Sequence, residues 1–123
     1  LRGLVGSEMC IRDSTIAIGR RFAGDFLITP DAIANDGLLD ICMIKKVNLL
    51  QRFKILPMVP KGTHIQDPRV EYYQTGAIRV EFNEKVPFHL DGELHFDSTF
   101  EVDLIPTALR IIYNQEGKHF FNV

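Results

Sequence analysis

Cysteine is nearly absent from this 123-residue chain, with Cys10 and Cys42 its two thiols. Two cysteines make neither a disulfide framework nor a metal-ligand spacing, so a reducing, cytoplasmic setting is the simpler expectation. No apolar stretch is long enough to cross a bilayer, and the chain is expected to be soluble. Basic runs are missing too. A formal net charge of -2, with no Arg/Lys-lined helix, gives no electrostatic reason to expect nucleic acid. There is no P-loop, no Gly-x-Gly-x-x-Gly, no serine nucleophile elbow and no His-Glu-x-x-His. Taken by itself, the chain has no recognisable way to hold a nucleotide.

What is present is an ordinary globular composition, 46% hydrophobic and 24% charged, enough for one small domain with a modest core. Residues 4–14, "LVGSEMCIRDS", match no helix, strand or secretion pattern. Read codon by codon, they resemble a translated transposase adapter of the kind used to prepare sequencing libraries. Residues 1–14 are therefore expected to be an assembly scar that contributes nothing to the fold, like a tag. On that reading Cys10 is not a native thiol, the native frame starts near Thr15, and the natural protein extends further on its N-terminal side.

From Thr15 the turn signals set the organisation. "TIAIGRRFAGDFLITPDA" reads as short strands bent at Gly19 and Gly24 and closed by Pro30. Asn35-Asp36-Gly37 is a turn signal leading into a β-rich run over residues 38–44. The one helix candidate is "NLLQRFKILPMVPKGTH". Asn48 caps it, Leu49, Leu50, Phe53 and Leu56 form a stripe expected to face the core, Pro57 ends or kinks it, and Gly62 stops it. After Asp67-Pro68 come "RVEYY", "AIRVEF", "VPFHL", "LHF", "TFEVDLI" and "ALRIIY", short strands that predict a mainly β fold, an antiparallel β-sandwich with one short helix. The tail over residues 114–123 is expected to be irregular, docked through Phe120 and Phe121.

Two constellations could carry chemistry. In "HLDGE", a two-residue Asp91-Gly92 turn would pair Leu90 with Glu93 and Phe88 with His95, mixing polar and apolar side chains on one face. A three-residue connection pairs Leu90 with Leu94, His89 with His95 and Phe88 with Phe96, and it lifts Glu93 into the loop. The like-with-like pairing favours that second register. Glu93 is then either a displayed carboxylate able to take a proton from a substrate hydroxyl or a solvated turn residue. Two facing histidines without a third ligand make a weak metal site and a better surface pair. In "NDGLLD", Asp36 and Asp40 could donate oxygens to a hard cation, helped by turn carbonyls, or Asn-Asp-Gly is simply good turn chemistry.

Five motifs recur in order: Pro-Asp-Ala at residue 30, Asp-Gly-Leu-Leu-Asp at 36, Lys-Gly-x-His at 61, Asp-Gly-Glu at 91 and Pro-x-Ala-Leu-Arg at 106. Together they resemble the C-terminal half of the diacylglycerol kinase-like lipid kinases, the superfamily that includes sphingosine and ceramide kinases and is related to NAD kinases. The resemblance covers residues 15–113. It implies a two-domain enzyme that transfers the γ-phosphoryl group of ATP, with Mg²⁺, to a lipid hydroxyl. Its nucleotide loop, Gly-Gly-Asp-Gly-Thr, would belong to an N-terminal domain not contained in this chain. Glu93 falls at the family's general base, and Asp36 at an aspartate that holds a structural or regulatory Mg²⁺ with the backbone carbonyls of Ile33 and Leu38. Where the family often has a run of glycines, this chain has Phe22-Ala23-Gly24-Asp25, so no close backbone approach is inferred there. The resemblance also implies a lipid substrate met at the membrane surface by a peripheral, cytoplasmic protein. Two other readings remain open here. One is a free-standing, non-enzymatic β-sandwich that binds a lipid or protein partner. The other is a kinase of the same superfamily acting on NAD, disfavoured because the nucleoside-contacting motifs are missing.

Overall fold

The computed structural model describes residues 11–121. Two antiparallel sheets and one short helix make up the fold, in agreement with the β-sandwich expectation. The first sheet has the order β1-β2-β3, with β1 over Ile11–Ala17, β2 over Leu39–Lys45 and β3 over Val70–Thr75. The second is a long hairpin of β4 (Ala77–Leu90) and β5 (Glu93–Asp103).

Strand β2 is central, and this explains why "LDICMI" is almost continuously apolar rather than alternating. Successive side chains of a strand point to opposite faces, and here both faces are covered. On one face Cys42 packs with Val47, Ile55 and Val70, joined by Ile28, Ile44 and Tyr72. On the other, Leu39 and Ile41 pack against Ile78 of β4, with Ile16, Tyr73, Val80 and Val102 around them. That second cluster is the contact between the two sheets.

Between β2 and β3 runs α1 (Leu49–Ile55), followed by 3₁₀ turns over Leu56–Lys61 and Thr63–Gln66. The sequence explains both ends of α1. Asn48 accepts the Gln51 N–H at 2.9 Å while the Gln51 side chain accepts the Asn48 N–H at 2.9 Å, a reciprocal capping box. The helix stops where Pro57 follows, as expected. Its stripe, however, does not face the core. Leu49, Leu50, Phe53 and Leu56 are 58–80% exposed, and Ile55 is the helix residue that is buried. A two-turn helix presents few positions to any one side. Ile55, together with Val59 of the next turn, fills that side and turns the apolar stripe outward.

Two further expectations need correction. The "ALRIIY" segment is not a strand, and Leu109, Ile111 and Ile112 are exposed. A strand needs a ladder to satisfy its backbone, and among the described residues no strand pairs with this segment. The hairpin also takes the register that pattern reasoning disfavoured. Leu90 pairs with Glu93, His89 with Leu94, Phe88 with His95 and Pro87 with Phe96. Asp91 (φ 49°) and Gly92 (φ 90°) both have positive φ, the mark of a two-residue turn whose twist matches right-handed strands. Register follows hydrophobic pattern only where a face is buried. Leu90, Leu94 and Phe96 are all exposed at this tip, so turn chemistry decides.

Of the segment expected to be foreign, Ile11, Asp13 and Ser14 lie in β1 and pair with Lys45, Ile44 and Met43. Residues 11–14 therefore do contribute to the fold, contrary to that expectation, because ladder pairing uses backbone groups and asks little of side-chain identity or origin. Residues 1–10, with Cys10, lie outside the described residues. The tail is irregular, and it docks as expected through Phe120, whose ring lies 4.2 Å beneath the Arg20 guanidinium, while Phe121 packs on Tyr113.

Candidate functional site

Asp36 sits in the turn that feeds β2. Its N–H donates to the Ile33 carbonyl at 3.2 Å, and its Oδ1 accepts the Leu38 N–H at 2.9 Å. These bonds shape an Asx turn, so the structure brings Ile33, Asp36 and Leu38 together. Leu38 takes part through its N–H rather than its carbonyl. The second carboxylate oxygen of Asp36 and the carbonyls of Ile33 and Leu38 are all oxygen donors, the kind a hard cation takes while keeping several waters. Among the described residues no cluster of three or more His, Cys, Asp or Glu side chains could hold a metal. A cation here would therefore depend on one carboxylate, backbone oxygens and water, which fits Mg²⁺ better than a transition metal.

Asp40, the other carboxylate of the same motif, does different work. It is fully buried in β2, with Oδ1 accepting the Tyr72 hydroxyl at 2.6 Å and the Gln74 amide at 2.9 Å. The β2–β3 register explains the meeting, because Asp40 lies opposite Gln74 and Cys42 opposite Tyr72 on one face. Burial, and then the bond to Asp40, push the Tyr72 hydroxyl far above the usual tyrosine range, so it remains a donor. Oδ2 of Asp40 is buried with no partner. The carboxylate is thus half satisfied, and Tyr72 and Gln74 are what make its burial tolerable.

His64, from the Lys-Gly-x-His motif, is also buried. Its Nε2 lies 2.9 Å from the Ile28 carbonyl and 3.7 Å from Cys42 Sγ. Two acceptors at Nε2 favour the tautomer with its proton there, and Nδ1 is left without a partner. Burial depresses the imidazole below its ordinary value, against a smaller opposing effect of the Ile28 carbonyl. Burial also pushes the Cys42 thiol up to about 11. Both groups are neutral, so they act as a structural clasp between the 3₁₀ turn, β2 and the segment before Thr29. Beside them lies an apolar cavity of about 330 Å³, lined in part by Phe22, Phe26, Ile28 and Leu56. Neither the Asp40 network nor this clasp is evident in the sequence, because the partners lie 32, 34 and 22 positions apart.

Glu93 is the first residue of β5, at the turn end of the hairpin. Its side chain is 85% exposed, with His95 Nε2 3.9 Å from Oε2. The hairpin is anchored at its other end, where Ile78 is buried against β2. From Ile78 to the tip is up to roughly 40 Å of strand at about 3.3 Å per residue. The structure therefore displays Glu93 at the exposed tip of this hairpin. Chemically, such a carboxylate can accept a proton from whatever is presented to the tip, without desolvation by its own chain.

The model of the family described as "YegS C-terminal NAD kinase beta sandwich-like domain" matches residues 6–113, a span that begins inside the segment expected to be foreign. Among curated proteins, a diacylglycerol kinase of Bacillus subtilis (strain 168) is 35% identical, over 73% of this chain and 36% of the relative. A diacylglycerol kinase of Mycobacterium tuberculosis (strain ATCC 25618 / H37Rv) is 29% identical, over 93% of this chain and 38% of the relative. A probable lipid kinase YegS-like of Shewanella frigidimarina (strain NCIMB 400) is 24% identical, over 79% and 31%. The chain thus spans well under half the length of the curated relatives it matches. With two antiparallel sheets joined through β2 and the family model matched along most of its length, the chain belongs to the YegS C-terminal NAD kinase beta sandwich-like family, the C-terminal domain of diacylglycerol kinase-like lipid kinases.

Proposed function

We propose that the chain is the acceptor-side part of an ATP-dependent lipid kinase that phosphorylates a diacylglycerol-like hydroxyl, inactive without a nucleotide-binding domain. The observation that carries this reading is Glu93, an exposed carboxylate beside a two-residue turn at the tip of a long hairpin in a chain of this family. The hydroxyl oxygen attacks the γ-phosphorus of ATP, the bond from that phosphorus to the β,γ-bridging oxygen breaks, ADP leaves, and Glu93 takes the hydroxyl proton. Phosphoryl transfer is mostly positioning and charge stabilisation. This chain supplies the base, and the ATP-binding elements lie outside it.

Asp36, with the carbonyls of Ile33 and Leu38, would hold Mg²⁺ in a structural role, stiffening the turn that leads into β2. When bound, the ion would add positive charge beside the buried end of the sheet. No helix among the described residues is long and apolar enough to cross a membrane, and the lipid would be met at the membrane surface by a peripheral, cytoplasmic protein.

The test joins the 123-residue chain to the nucleotide-binding part of a relative and follows phosphate transfer to diacylglycerol in mixed micelles. Glu93→Gln keeps size and hydrogen bonding but takes up no proton. Turnover should fall roughly 10²-fold or more, the usual scale of general-base catalysis, with the melting temperature unchanged. Normal turnover in E93Q would remove Glu93 from the chemistry.

A further inference from the structure

The exposed stripe of α1 is unusual for what surrounds it. Between Asp40 and Asp67 the chain carries five cations, Lys45, Lys46, Arg52, Lys54 and Lys61, and no acidic residue, although the whole chain has a net charge of -2. The acidic groups just beyond this segment are already engaged, Glu71 by Lys45 at 2.6 Å and Asp67 by Arg69 at 2.5 Å. On a helix of 3.6 residues per turn, Leu49, Phe53 and Leu50 cover an arc of roughly 100° opposite the buried Ile55. Arg52 falls just beyond one edge of that arc and Lys54 just beyond the other. Leu56 continues the apolar surface into the 3₁₀ turn, and Lys46 and Lys61, both exposed, bracket the whole element.

We propose that this face of α1 docks on an anionic lipid bilayer, with the four apolar side chains entering the boundary between headgroups and acyl chains and the cations held among acidic headgroups. An apolar arc flanked by basic residues on a helix lying along a surface is the arrangement that binds an interface without spanning it. Charge argues against a second copy on the same face, because a twofold pairing would set Lys46, Lys54 and Lys61 against the same lysines of the partner copy. The inference rests on the membrane-surface part of the reading above and not on its phosphoryl-transfer part. It orients the domain, putting α1 against the membrane.

The experiment is co-sedimentation of the 123-residue chain with vesicles of pure phosphatidylcholine and with vesicles one-third phosphatidylglycerol, without ATP. Kinase chemistry therefore plays no part in the result. Binding should require the anionic lipid and weaken as salt rises. L50E/F53E should lower the partition coefficient roughly tenfold or more, since each side chain loses its apolar transfer. K46Q/K54Q/K61Q should lower it by roughly fivefold per cation removed. These side chains are exposed, so both variants should melt like the parent chain, and circular dichroism checks that they do. Absence of binding to the anionic vesicles overturns the proposal. So does undiminished binding by a folded L50E/F53E, which would move membrane contact to another surface. A third overturning result is a parent chain that dimerises and ignores vesicles while L50E/F53E is monomeric, because the face then covers a second copy.

Discussion

Replacing Gly62 with alanine tests the corner on which the buried side of β2 depends. Gly62 has φ 69°, in the left-handed region, and a Cβ built on it would lie 2.8 Å from the Pro30 Cβ. The first effect costs about 1–2 kcal/mol for an L-residue. The second is overpacking against a ring carbon that cannot rotate away, and forcing such a contact costs about 1–3 kcal/mol. Pro30 has little room to retreat. Its neighbour Thr29 is buried and bonded to the Gly19 carbonyl at 2.7 Å, and Ala32 N–H closes on Thr29 at 3.1 Å. A total of roughly 2–5 kcal/mol should appear in urea unfolding, with a melting temperature lower by roughly 10 °C or more. Gly92, at φ 90° with nothing within 4 Å, is the control for strain alone, and Gly92→Ala should cost about half as much. Pro30→Gly removes the clashing carbon, so the double variant Pro30→Gly/Gly62→Ala should recover about 1–3 kcal/mol of coupling. If Gly62→Ala costs no more than Gly92→Ala, or if the cycle shows no coupling, the packing of the 3₁₀ corner on Pro30 is not what holds it.

Four other outcomes follow from the buried polar groups. Asp40→Ala strands the Tyr72 hydroxyl and the Gln74 amide and should cost about 2–4 kcal/mol, whereas Asp40→Asn keeps an acceptor and should cost less, both read by urea unfolding. His64 has a depressed pKa, so stability is fully present above its ordinary value of 6.5 and falls as the pH drops below it, while the unfolded chain takes up the proton first. Unfolding curves between pH 7.5 and 5 should show that loss, and His64→Gln should flatten it. Asp67, held at about 2 chiefly by the hydrogen bond from Arg69, adds a further loss from its ordinary 3.8 downward by the same linkage. Cys42 should resist a thiol reagent at pH 8 until urea unfolds the chain, because its thiol stays protonated and buried.

The parts of the fold legible in sequence are those written in local chemistry. The Asn48 cap, the stop at Pro57, the left-handed Gly62 and the Asp36 turn each depend on residues within a few positions, and each forms where the sequence puts it. The strand over residues 38–44 is displaced by one residue, to Leu39–Lys45, because its apolar run is enforced on both faces. The misreadings share one cause. The hairpin register and the α1 stripe were inferred from the rule that apolar side chains seek a buried face, and in both places the apolar side chains are exposed. The "ALRIIY" segment fails for the same reason: it is apolar, but no strand among the described residues offers it a ladder.

That pattern bears on the candidate site. The α1 stripe and the "ALRIIY" segment are features that pattern rules send inward or pair off and that the structure leaves outside, and Glu93, expected in the loop, begins β5 opposite Leu90 and is still exposed. A rule that works for β2, where Leu39 and Ile41 meet Ile78, fails when a residue's partner is not among the residues that fold with it. The chain spans 36–38% of its two diacylglycerol kinase relatives, and Glu93 and the α1 stripe are the exposed features that the proposals above use. On those proposals, the partner of Glu93 is a substrate hydroxyl and that of α1 a lipid surface. Asp40 and His64 give the contrasting case. They are polar residues drawn from the same motif series, yet they are buried against Tyr72, Gln74, Ile28 and Cys42, so recurrence in a motif does not by itself make a residue catalytic. Separating the two kinds requires burial, which the spacing of "NDGLLD" and "PKGTH" does not encode. The variants divide accordingly: Asp40→Ala should cost stability, and Glu93→Gln should cost turnover and leave stability intact.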